Sequence, residues 1–335
     1  MIERFYGSDP EYFIYSEYKQ TASGLIPDII PPASLITDFN VPFTLSKNNK
    51  RILIEKPEYR WIEDGAAIEL NYKNPIKNPS DFHSIAYGAF RDLNYLLDGI
   101  SYKVTNKRFK VSTELLGYFD LNKYWKSRDK SFTDCVRFGC DPDIFPKYYL
   151  FSGFEKENCK IIDASKHEYR YAGGHIHIQN MSSNSDVYLD NIELAPIIFD
   201  FIVGTTNVMI NRDFKIINQE KARLKYYGRP GRIRIQKYSP RKNGIEYRPP
   251  SNQWLNNPYF INSIITSANI ASTIIENNKA SDFFYRFQDK ITDMWYALTK
   301  HDKVLSKTLL TDSLVWAVEN NIITIQQLDG IYGQF

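Results

Sequence analysis

The chain is poor in the residues that staple or clip small folds together, with only three cysteines, Cys135, Cys140 and Cys159, among 335 residues. Their number is odd and no pair has C-x-x-C spacing, which argues against a disulfide framework and against a structural zinc site and suits a reducing compartment. Long apolar runs are missing too. The most apolar window, Leu194 to Ile210, carries Asp200 and Asn207 and falls short of a bilayer span, so it reads as a buried helix and no membrane partner is expected. Charge of one sign is scarce: 42 Lys and Arg against 39 Asp and Glu leave +3, which supplies no electrostatic mandate to bind nucleic acid. Met1 to Tyr6 hold no basic stretch followed by an apolar run, so no secretory signal is expected and the cytoplasm is the expected location. Hydrophobic residues are plentiful at 43%, with 15% aromatic, enough for one large domain or two of ordinary size.

Histidine is scarce as well, five in all, yet two fall in Gly173-Gly174-His175-Ile176-His177-Ile178. On a strand, successive side chains alternate faces, so His175 and His177 share one face while Ile176 and Ile178 pack behind. Two neutral imidazoles side by side can take a cation or a phosphate; the plainer reading is a half-buried strand with a polar face. The paired glycines are expected either to admit a bulky ligand or to mark a bulge. Ile245-Glu246-Tyr247-Arg248 repeats the alternation, and a carboxylate beside a guanidinium suits a metal–nucleotide site or, more plainly, a cross-strand ion pair.

Earlier in the chain, Gly7-Ser8-Asp9-Pro10 is a turn signal before a strand at Glu11 to Tyr15. Turn chemistry is the preferred reading of Asp9. Glu11, flanked by residues that seek burial, needs a partner or a cation. Glu69 has the small residues Ala67 and Asn71 on its own strand face, which leaves room for a ligand. Ser80 to Asp98 has helical spacing, with Gly99 expected to stop it. Asp190 to Ile210 reads as one long helix interrupted at Gly204, and the runs from Ile261, Phe283 and Leu309 read as helices. The segment Arg223 to Arg241 concentrates arginine and glycine. Guanidinium forks bind phosphate there, or else the segment forms a nucleic-acid groove with Tyr226 and Tyr227 as stacking partners.

Taken in order, Gly7 to Glu11, Asp64 to Glu69, Phe138-Gly139-Cys140-Asp141-Pro142-Asp143, Gly173 to His177, Tyr227-Gly228 to Arg234, and Glu246-Tyr247-Arg248 with Ser251-Asn252-Gln253-Trp254 resemble the phage-type carboxylate–amine ligase (amidoligase) family. That family belongs to the glutamine synthetase and glutamate–cysteine ligase superfamily. The resemblance implies an α+β catalytic domain over residues 1–254, glutamine synthetase-like, whose curved antiparallel sheet and flanking helices enclose a site for ATP and Mg2+, with Mn2+ as a substitute. Residues 255–335 are expected to form a helical C-terminal part packed on the same domain. The implied reaction phosphorylates a carboxylate substrate and lets an amine substrate displace the phosphate, the partners being an amino acid, peptide, cell-wall fragment or protein side chain. By motif position Glu11, Glu69, Glu246 and His175 are the implied metal ligands, His177 a nucleotide contact, and Arg234 and Arg248 phosphate binders. Asp64 is the expected acid for the amine's proton. The location would be a host cytoplasm if the chain is phage-encoded.

Two departures from the family pattern are visible: Gly65 where asparagine is expected after Asp64, and a phosphate loop stiffened by Arg229-Pro230. Independently of the resemblance, three carboxylates on separate strands suit a hard cation such as magnesium better than zinc. Two other classes stay open. A degenerate fold acting as a structural or virion protein would lack the metal carboxylates, and Glu11, Glu69 and Glu246 are present. A nucleic-acid module would use Arg223 to Arg241.

Overall fold

The computed structural model describes residues 4–103, 107–126, 146–151, 163–180, 186–239 and 242–327. The string at 138–143 and positions 240–241 of the basic segment lie outside them. Among the described residues the strands are β1 (Arg4–Ser8), β2 (Glu11–Thr21), β3 (Gly24–Ile29), β4 (Thr44–Leu45), β5 (Arg51–Glu55), β6 (Tyr59–Asp64), β7 (Ala67–Tyr72), β8 (Lys110–Ser112), β9 (Leu116–Tyr118), β10 (Tyr169–Tyr171), β11 (Ile176–Asn180), β12 (Ile233–Ser239) and β13 (Lys242–Tyr247). They form two sheets. The smaller runs β1-β11-β13-β12, antiparallel throughout; the larger runs β10-β9-β3-β2-β7-β6-β5-β4, with β8 also on β2. Its single parallel contact among the described residues joins β3 to β9. The sheets are rich in antiparallel pairs and helices pack on them, a mixed arrangement compatible with the α+β class.

The two sheets meet where β1 turns into β2 at Asp9-Pro10. Leu70 donates its N–H to the Pro10 carbonyl, Glu11 donates to the Gly173 carbonyl at 2.9 Å, and Tyr6 exchanges two backbone bonds with Ile76. One continuous chain segment therefore belongs to both sheets, and its corner is Asp9.

Each sheet has its own helical cover. The helix Pro79–Lys103 buries Phe82, Ala86, Ala89, Leu93, Leu97 and Ile100, a spacing of three and four that keeps one face inward. This face packs with Tyr12, Trp61, Ile68 and Leu70 of the large sheet. The expected stop at Gly99 does not occur. Burying Ile100 continues the apolar stripe, which outweighs the roughly 1 kcal/mol that a helical glycine costs. On the small sheet, Ile176, Ile178, Ile233, Ile245 and Tyr247 join one buried cluster with the helices Pro258–Glu276, Ala280–Phe287, Ile291–Lys300 and Lys303–Glu319. Residues after 254 thus share a core with the strands that carry His177 and Glu246.

The expected long helix at Asp190 to Ile210 is in two pieces. A short turn, Val187–Asp190, is followed by Ala195–Ile210, begun at Pro196 and loosened to π-helical winding over Asp200–Gly204. Gly204 does not interrupt it. A Cβ there would lie 2.8 Å from Tyr247 Oη and 2.9 Å from Leu298 Cδ1, so the glycine admits close packing. At the start of the π turn, Asp200 is fully buried and accepts from Tyr149 and Tyr247 hydroxyls, both at 2.7 Å. Among the described residues no helix is long and apolar enough to cross a membrane.

Candidate functional site

Alternation along the small sheet separates two faces. Ile176, Ile178, Ile245 and Tyr247 go to the helical core, and the residues between them face the large sheet. Register then aligns Gly7, His177, Glu246 and Arg234 in one row across four strands. Register depends on burying the apolar set, because a one-residue slip would turn those side chains outward and carry charge into the core.

Glu246 is the centre of the row, with its side chain fully enclosed. Its Oε1 lies 3.0 Å from Arg248 Nη1 and 3.2 Å from His175 Nδ1; its Oε2 lies 3.4 Å from Arg234 Nη1 and 3.9 Å from His177 Nε2. Gln236 also donates to Oε2. Opposite stands Asp9, whose Oδ1 is 3.2 Å from His175 Nδ1 and 3.3 Å from His177 Nε2. Behind, the Tyr227 hydroxyl meets His175 Nε2 at 2.8 Å and donates to Glu11 Oε1 at 3.1 Å.

These distances set the charges. Burial disfavours an imidazolium at His175, but Asp9 and Glu246 outweigh it and push the ring up to about 10. Burial also opposes ionisation of Glu246, and the His175 hydrogen bond reverses this, bringing the carboxyl down to about 2. Against the same burial, His177 and His175 hold Asp9 well below the usual carboxylate range, and Asp9 raises His177.

A second acidic group adjoins the first. Glu11 on β2 and Glu69 on β7 are direct cross-strand partners. Burial, then Asp64, pushes Glu11 up to about 7, although its Oε2 accepts the Gly173 N–H at 2.7 Å. Burial, Asp64 and Asp9 raise Glu69 well above its ordinary value, and Asn71 donates to it at 3.3 Å. Asp64, at the end of β6, is paired with Lys50.

All eight residues marked in the sequence, Glu11, Asp64, Glu69, His175, His177, Arg234, Glu246 and Arg248, therefore lie around one junction. Their arrangement refines the expected roles. Asp9, His177 and Glu246 offer ligand atoms that lie within 4.8 Å of one another, a donor set that fits a divalent cation. His175 is the inner histidine, almost wholly enclosed, with Tyr227 on one nitrogen and the two acids at the other. That makes it a positioning group for the acids, and of the two histidines it is His177 that belongs to the three-residue donor set. Asp9, read as turn chemistry, is an acid of the site; its position two residues before Glu11 on a chain that corners between sheets was the available signal. Tyr227 was marked only as a stacking partner and as the head of the Tyr227 to Arg234 string, because nothing local marks a tyrosine as facing a distant carboxylate.

Gly173 and Gly174 correct another expectation. A Cβ at Gly174 would lie 2.5 Å from the Ser251 carbonyl oxygen, and one at Gly173 would lie 2.9 Å from Tyr227 Cε1. The glycines admit protein, not a ligand. Asn252 donates to the Glu11 carbonyl at 2.6 Å and Trp254 to the Gly174 carbonyl at 2.7 Å, locking this crossing.

The two arginines also differ. Arg248 is buried on Glu246, whereas Arg234 keeps 27% of its side chain exposed. Its Nε and Nη2 have no hydrogen-bond partner among the described residues. In the basic segment, Arg223 is fully buried and Tyr227 faces Glu11, while Tyr226 stacks on Tyr171 at 5.2 Å. Two anchors of a nucleic-acid groove are thus enclosed in the fold. No protein-family model matches the chain, and no curated protein matches it.

Proposed function

We propose that the protein is an ATP- and Mg2+-dependent carboxylate–amine ligase with a glutamine synthetase-like catalytic fold, forming an amide bond by way of an acyl phosphate. The observation that carries this reading is Arg234, whose two unpartnered buried guanidinium nitrogens lie beside the Asp9–His177–Glu246 donor set. Unpartnered donors next to a cation-competent acid row call for an anion with several oxygens, and a nucleotide phosphate supplies them.

The divalent ion, held by Asp9, His177 and Glu246, would neutralise phosphate charge during transfer. Mn2+ suits the imidazole in this set at least as well as Mg2+. Arg234 orients and screens the transferring phosphoryl group, which asks for positioning more than for a covalent protein group. Arg248 keeps Glu246 ionised and aimed. Glu11 and Glu69 supply a second pair of oxygens for a cation, and Asp64, at the partly exposed rim, takes the proton of the incoming amine. The acid and the amine are small polar molecules or ends of larger ones, drawn from amino acids, peptides, cell-wall fragments or protein side chains.

The test is incubation of the purified protein with ATP, Mg2+ or Mn2+ and pools of amino acids or muropeptides, read by mass spectrometry. The expected product is a pair joined with loss of water, with ADP and phosphate released. No divalent-dependent protection by ATP against heat, together with no product from any pool, removes the reading.

A further inference from the structure

A small, partly open cavity of about 20 Å³ lies between the helices and the prolines that follow Arg248. Four of its lining side chains are polar, and all are at least nine-tenths buried: Asn207, Glu220, Arg223 and His301. Asn207 Oδ1, Glu220 Oε1, Arg223 Nη1 and both His301 ring nitrogens have no hydrogen-bond partner among the described residues. Leaving one such buried group unsatisfied costs about 1–3 kcal/mol, so five around one cavity call for an occupant.

The donor and acceptor pattern selects its chemistry. Arg223 Nη1 and one nitrogen of a neutral imidazole donate; Glu220, Asn207 and the other ring nitrogen accept. Burial holds His301 down to about 4, so the ring is neutral at ordinary pH. An anion would meet Glu220, and a cation would meet Arg223. A neutral molecule that donates and accepts hydrogen bonds meets neither conflict, and the volume suits water.

His301 adds an independent sign. It caps the helix Ile291–Lys300 at φ 54°, a left-handed conformation that favours glycine or asparagine. Every other described residue with positive φ is glycine or asparagine. Its imidazole lines the cavity, and neither ring nitrogen has a hydrogen-bond partner among the described residues.

We propose that this cavity is a hydration site in which Asn207, Glu220, Arg223 and His301 together hold one ordered water or a short water chain. The water is the third anchor of Arg223, whose Nε already donates to Glu220 at 2.9 Å and whose Nη2 donates to the Pro249 carbonyl. Pro249 directly follows Arg248, and the guanidinium faces the Tyr227 ring at 6.0 Å. The site thereby ties the C-terminal helices to the wall that positions Arg248 and Tyr227.

The experiment is a crystal structure of the full chain at a resolution that resolves solvent, with Asn207→Leu beside it. The parent is expected to show a solvent peak within hydrogen-bond distance of Arg223 Nη1 and at least two of the other three side chains, and the variant to lose at least half of its occupancy. An empty cavity, Arg223 Nη1 and Glu220 Oε1 turned onto protein partners, or an undiminished peak in the variant overturns the proposal. If Asn207→Leu does not fold, parent crystals under xenon decide: a hydrated cavity excludes the gas, and xenon bound there means the cavity is dry. None of these readouts involves ligase activity, so they stand or fall separately from the proposed reaction.

Discussion

Glu11 and Glu69 face each other directly across β2 and β7, two carboxylates buried side by side. Like charges in direct opposition destabilise a sheet, and burial makes their ionisation costlier still. The acids persist as neighbours only if a proton or a cation separates them.

That opposition predicts a pH dependence. Glu11 has its folded value raised to about 7 from 4.5, so its contribution to stability is fully present below pH 4.5 and is lost as pH rises through 7. The metal-free protein should lose roughly 1–3 kcal/mol across that window. Glu11→Gln should flatten this part of the curve, and millimolar Mn2+ should restore the parent above pH 7. Urea melts from pH 4.5 to 8.5 measure it; identical slopes for parent and variant would show that the pair does not repel.

Glu246 supplies the opposite arm. Its folded value is lowered from 4.5 to about 2, so the stability it contributes is present above pH 4.5 and is lost as pH falls through 2. Arg248→Met removes one of its two closest cations while leaving the acid enclosed, and should cost about 3–5 kcal/mol. Arg234→Met, at a partly exposed side chain, should cost under about 1 kcal/mol of stability yet weaken ATP binding at least about tenfold. Denaturant melts with calorimetric ATP titration compare the two; equal stability losses would contradict the division of labour.

The histidines separate in the same way. His175→Ala strips the imidazolium from between Asp9 and Glu246 and removes one of Tyr227's partners, a loss of about 3–5 kcal/mol. His177→Ala should spare the fold but reduce Mn2+ affinity at least about tenfold. Chemical denaturation and Mn2+ titration of both variants give the answer, and a reversed order would exchange their roles.

Asp200 is a separate buried acid, raised by burial to about 7 despite two tyrosine donors. Its contribution is present below the ordinary value of 3.8 and is lost as pH rises through 7. Tyr247→Phe leaves one carboxyl oxygen without its hydroxyl partner and should cost roughly 1–3 kcal/mol. Melts of that variant at pH 6, where Glu246 and Arg248 are unaltered, measure the cost; an unchanged midpoint would mean that the bond contributes nothing.

Period-two alternation was enough to put His175 with His177 and Glu246 with Arg248, because strand geometry leaves neighbours no other choice. Period 3.6 was enough to mark the helix at Pro79–Lys103 and the helical character after residue 258, although the run from Phe283 is two helices, Ala280–Phe287 and Ile291–Lys300, and the helix read from Leu309 begins at Lys303. Local rules failed where a distant neighbour changed the balance. Gly99 reads as a stop until Ile100 finds a core, Gly173 and Gly174 read as room for a ligand until Tyr227 and Ser251 fill it, and Asp9 reads as a turn until two histidines close on it. Only the tertiary structure set His177 against Glu246, since that register is chosen by burying Ile176, Ile178, Ile245 and Tyr247 on the reverse face. The same holds for the contrast between Arg234 and Arg248: the residue types are identical and both pair with Glu246, but the fold buries Arg248 there and leaves Arg234 partly exposed with two open donors.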